Sequence, residues 1–89
     1  MDVRERLAAA YPEREFLLPE GFDEAVVGVV GDSDNPRVAY SVSKCVRILM
    51  ERDGMGKEEA LDFFEYNVRG THFSNHPEPV WVEDDFLTN

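Results

Sequence analysis

Six consecutive turn formers, Gly31–Pro36 (GDSDNP), separate a valine run, Ala25–Val30 (AVVGVV), from an alternating stretch, Arg37–Ser41 (RVAYS). Four valines in six residues favour a strand. The near-continuous apolar run predicts a strand covered on both faces or central in a sheet, and Gly28 predicts a bulge or a close crossing. Val38 and Tyr40 alternate in the second stretch, so strand, turn and strand predict a β-hairpin.

The segments around the hairpin read mostly as helix. Asp2 is an expected N-cap with Glu5 in the capping-box position. Val3, Leu7 and Ala10 recur at helical spacing until Pro12 stops the helix, which predicts helix over 3–11. Residues 13–24 form a connector broken at Pro19 and Gly21, with Phe16, Leu17 and Leu18 tacked onto the core. From Val42 to Arg52 the apolar residues Val42, Cys45, Val46, Leu49 and Met50 fill one arc, with Lys44, Arg47 and Glu51 opposite. Ser41 or Ser43 caps this helix and Gly54 suits its left-handed end. After Met55-Gly56 a further helix carries Glu58 and Glu59 in its first turn and ends at Gly70. Its apolar set is Ala60, Leu61, Phe63, Phe64 and Val68, with Glu58, Asp62, Glu65 and Arg69 on the other side. Val80-Trp81-Val82 predicts a short third strand after the irregular stretch 71–79.

The resulting expectation is one small α+β domain in the order α-β-β-α-α-β. An antiparallel sheet of about three strands packs against the two central helices. Residues 1–24 hold the first helix and connector, 25–83 the core and 84–89 a tail. Val27, Val29, Val38, Tyr40, Val46, Leu49, Leu61, Phe63, Phe64 and Trp81 are the expected core.

Charge limits the function classes. The 89 residues carry 19 acids against nine Lys and Arg, a formal net charge of −10. Residues 1–36 hold nine acids and three bases, and residues 53–89 nine acids and two bases. Between them, 37–52 hold four bases and one acid, so one positive segment separates two negative ones. The acidity argues against generic nucleic-acid binding, while the aromatic content of 11% argues against a disordered acidic tail. No apolar run is long enough to span a membrane. The start has no apolar h-region for a signal peptide, and one cysteine, Cys45, makes no internal disulfide. A cytoplasmic protein is the expectation.

Catalytic and ligand motifs mostly fail on spacing. His72 and His76, with Glu78, lie in a proline-rich loop rather than on a helix face, so no metal site is expected. Asp32-Ser33-Asp34 resembles the start of a calcium loop, but the sixth and twelfth positions are Arg37 and Ser43. Gly56-Lys57 lacks the earlier glycine and the following Ser or Thr of a phosphate loop. The two central helices suggest a helix-turn-helix, yet the second exposes acids where a DNA reader needs Arg, Lys, Asn or Gln. Cys45, on an apolar arc, is expected to be buried and inert. No catalytic residue and no cofactor are expected.

The stretch Arg52–Gly70, RDGMGKEEALDFFEYNVRG, resembles small phage and bacterial proteins in which an RDGM turn leads into EEA, an aromatic residue and a YN or FN pair. Pro79-Val80-Trp81 continues the likeness, which covers roughly residues 37–82. That family has no assigned activity. The resemblance implies only a small stand-alone protein of phage-like or mobile-element context.

These readings together point to a non-catalytic interaction module. Its acidic helix residues Glu58, Glu59, Asp62 and Glu65 are expected to engage a basic protein partner, with DNA mimicry against a nucleic-acid-binding protein as the sharpest form. One alternative is a regulatory module that binds nucleic acid or an acidic partner through Arg37, Lys44 and Arg47. The other is an enzyme whose site has no recognisable motif.

Overall fold

The computed structural model describes residues 2–16, 18–31, 34–70 and 78–84. The expected features at Leu17, Asp32, Ser33, His72, His76 and the stretch 85–89 lie outside the described residues.

Local signals account for the element ends. The Asp2 carboxylate accepts the Glu5 backbone N–H at 2.8 Å and starts α1 (Val3–Ala10). A short 3₁₀ turn, Asp23–Ala25, leads into β1 (Val26–Val30), which pairs antiparallel with β2 (Arg37–Ser41). The register slips between Val26 and Gly28, the irregularity expected at that glycine. With no intervening loop, β2 runs into α2 (Val42–Asp53). Ser41 caps α2 by accepting the Lys44 N–H at 3.1 Å, and Gly54 ends it at φ 70°.

The fold is α+β as expected, but the sheet is mixed rather than antiparallel. β3 (Val80–Val82) pairs parallel to β2, with Ala39, Tyr40 and Ser41 opposite Val80, Trp81 and Val82. A parallel neighbour needs a long crossover, and the two helices together with the stretch before β3 provide one. The strand order is β1-β2-β3, so the valine run is not central. Val27 is 52% exposed and Val30 41%. The central strand is β2, where Val38, Ala39, Tyr40 and Ser41 are all buried.

Polar clamps hold both ends of the parallel pair. At the start, Arg37 Nε donates to the Glu78 carbonyl at 2.7 Å and Arg37 Nη2 to the Pro79 carbonyl at 3.3 Å. At the finish, Asp84 accepts from the Ser41 hydroxyl at 2.5 Å and from the Ser43 N–H at 3.0 Å. Asp84, the first residue of the expected tail, thus closes the fold and adds a carboxylate to the N-terminus of α2, where the helix dipole favours it. Desolvation pushes its pKa up, but the bonds from Ser41 and Ser43 outweigh this and hold it below the usual carboxylate range.

The last helix changes its winding midway. After α3 (Lys57–Phe63) the chain continues as a π-helical segment, Phe64–Arg69. Its i→i+5 winding turns ~80° per residue against ~100° in an α-helix. Val68 therefore comes back over Ala60 and Phe64, and those three are the buried residues of the whole helix. Leu61 and Phe63, expected in the core, are exposed at 36% and 38%, as is Met50 on α2. An aromatic cluster sits between the layers: Trp81 stacks on Tyr40 and meets Phe64 edge-on, both at 5.3 Å. Leu7, Phe22 and Ala25, from the N-terminal segment, complete the buried cluster, and Phe16 and Leu18 pack against it.

Candidate functional site

Gly56 enters α3 in extended conformation without a side-chain cap, and the Ala60 N–H reaches the Gly56 carbonyl at 2.8 Å. Glu58 and Glu59 in the first turn are favoured by the helix dipole. Because Ala60, Phe64 and Val68 are the buried stripe, Glu58, Glu59, Asp62 and Glu65 are all exposed. The structure therefore carries all four expected partner-binding acids on the solvent side of one helix. Glu65 is engaged, accepting from Arg69 at 3.3 Å, and Arg69 also bonds Glu83. Glu58, Glu59 and Asp62 have no ion pair among the described residues.

Two aromatic side chains belong to this face, and the sequence reading missed both. Tyr66 is 82% exposed, and the π winding turns it over Asp62. Phe63 lies one turn beyond Glu59. The available signal was the i, i+4 spacing of Tyr66 from Asp62, which places it outside the buried stripe.

The basic residues do not form one patch. Arg37 is half-buried and spent on the carbonyls before β3. Lys44 and Arg47 are exposed on α2, where they line a groove of about 330 Å³ with Glu24, Ile48 and Glu51. A neighbouring cleft of about 470 Å³ shares those last three residues and adds Gly21, Asp23 and Arg52. Two of its lining charges, Asp23 and Arg52, are paired: Arg4 donates to Asp23 at 2.9 Å, and Arg52 donates to Asp53 and to the Gly21 carbonyl. Gly21 has φ 87°, a left-handed conformation that favours glycine, and the Arg52 guanidinium occupies the space where a Cβ would stand. The clefts therefore present balanced charge rather than a cationic surface.

The remaining reactive groups are enclosed. Cys45 is buried, and desolvation, with a smaller contribution from Asp84, pushes its thiol up to about 12. At neutral pH it holds its proton and is a poor nucleophile. Tyr40 is fully buried, its hydroxyl makes no hydrogen bond among the described residues, and desolvation raises its pKa. The described residues contain no group of three or more His, Cys, Asp and Glu that could hold a metal ion. They contain no helix long and apolar enough to cross a membrane.

No protein-family model, no curated protein and no solved structure matches the chain.

Proposed function

We propose that the protein is a non-catalytic interaction module whose α3 face engages a basic protein partner. The observation that carries this is the trio Glu58, Glu59 and Asp62, exposed on one helix without an ion pair among the described residues. Glu58 and Asp62 stand at i, i+4, and like charges at that spacing cost a few tenths of a kcal/mol. A cationic partner removes that cost on docking. A nucleic-acid-binding protein fits best, with the helix face occupying the place of a phosphate backbone, as in an inhibitor of phage or mobile-element origin.

The test compares two triple variants of equal charge. One carries Glu58→Gln, Asp62→Gln and Glu65→Gln; the other carries Glu5→Gln, Glu13→Gln and Glu20→Gln. Binding of a basic protein such as a histone is followed by stopped-flow at several salt concentrations. The α3 variant is expected to lose on-rate and salt dependence, since complementary charge acts mainly on encounter. The control variant is expected to lose markedly less. Equal losses would show that only total charge matters and that α3 is not the docking face. Attention would then pass to Lys44 and Arg47.

A further inference from the structure

The exposed aromatics of α3 and its π continuation specify the chemistry of the partner more closely than its charge does. Tyr66 is 82% exposed, and its side chain makes no hydrogen bond, ring contact or ion pair among the described residues. Glu58, Asp62 and Tyr66 form a column at i, i+4 and i+8, and Glu59 and Phe63 form a second beside it. Neighbours along such a column have Cβ atoms ~5–6 Å apart. The ~80° step of the π winding brings Tyr66 to the same angular position as Asp62, whereas α-helical winding would carry it past. A phenol ring therefore stands next to a carboxylate that has no ion pair among the described residues.

We propose that Tyr66, beside Asp62, is the docking platform of this face, and that its occupant is an arginine-bearing segment of a protein partner. The proposal rests on the reading of α3 as the basic-partner surface and adds the identity of the cation. Charge complementarity selects a cation, and the ring beside the carboxylate selects arginine over lysine. A guanidinium is planar, stacks on an aromatic face and can present two N–H groups to the Asp62 carboxylate at once. An ammonium is a compact, strongly hydrated charge that gains less from the ring. Aromatic anchors surrounded by polar residues are also the pattern of interface hot spots.

The test uses the full chain, isotopically labelled, titrated at low salt with two capped peptides of equal length and charge. One alternates arginine with glycine, the other lysine with glycine. The arginine peptide is expected to bind about two- to fivefold tighter, from the strength of an exposed cation–π contact, with amide shifts centred on Asp62 and Tyr66. Tyr66→Ala should bring the two affinities together by weakening the arginine peptide more than the lysine peptide, while Tyr66→Phe should keep the preference. Equal affinities for the native chain, or a preference that survives Tyr66→Ala, would overturn the platform while leaving the basic-partner surface standing. If neither peptide moved α3 resonances, the surface itself would be wrong and the platform with it. Since Tyr66 is so exposed, its variants should keep the native urea midpoint, which checks that the fold is intact.

Discussion

Two buried titratable side chains lie on either side of the β2–α2 junction of the chain. Tyr40 and Cys45 are both fully buried, and neither can ionise cheaply where it sits. Their folded pKa values lie above the ordinary 10.0 and 9.0. The folded state therefore keeps protons that the unfolded chain has released, and stability falls as pH rises. Below pH ~9 that contribution is fully present. Urea midpoints should therefore decline from about pH 9, first through Cys45 and then, above pH 10, through Tyr40. Cys45→Ala should flatten the lower part of the decline and Tyr40→Phe the upper part. Tyr40→Phe should also leave neutral-pH stability unchanged or raised by about 1 kcal/mol, because it removes a buried hydroxyl that has no partner. A native chain with a flat midpoint between pH 8 and 11 would contradict this.

At the scale of an element, the α3 helix and its π continuation divide two adjacent phenylalanines. Phe64 is 0% exposed against Trp81, while Phe63 is 38% exposed. Phe64→Ala is expected to cost about 3–5 kcal/mol, as a large-to-small change in a packed core. Phe63→Ala should cost about 1 kcal/mol or less, given how much of the ring already meets water. Urea unfolding followed by Trp81 emission reads both, since Trp81 touches the first ring. Comparable shifts would mean that the helix presents both rings to the sheet. The same element explains how three acids come to be displayed together: burying Ala60, Phe64 and Val68 leaves Glu58, Glu59 and Asp62 no side but the solvent side.

Across the whole molecule, the parallel strand pair is held by side chains at its two ends rather than by length, since β3 has only three residues. Arg37 clamps the start, and Ser41, Ser43 and Asp84 clamp the finish. Arg37→Ala is expected to cost about 1–3 kcal/mol, leaving two inter-segment carbonyls without their charged donor. Lys44→Ala and Arg47→Ala, exposed on α2, should stay within about 0.5 kcal/mol of the native chain. Urea midpoints of the three single variants decide the matter. Similar small losses at all three would return Arg37 to the surface group with Lys44 and Arg47.

Much of the local structure was legible from residues alone. The Asp2 and Ser41 caps, the Gly54 ending, the β1–β2 hairpin, the amphipathic α2 and the strand at Val80-Trp81-Val82 all depend on sterics and hydrogen bonds within a few positions. The exposure of Glu58, Glu59 and Asp62 was legible for the same reason, as the polar side of a periodic helix. Other features were set by contacts that no window of neighbours contains. Strand direction is one: Val80–Val82 reads as a strand whichever way it runs, and its pairing with β2 is settled by bonds between Arg37 and residues 78–79 and between Ser41 and Asp84, about 40 positions apart. The edge position of the valine run is another, because an apolar stretch does not say which neighbour covers it. Arg37 read as a free cation until its carbonyl partners were placed. The change to π winding after Phe63, which keeps Val68 inside and leaves Phe63 and Tyr66 outside, follows from fitting one buried stripe against Trp81 and the sheet. Periodicity assumes a constant turn per residue, and only the tertiary packing decides where that turn changes.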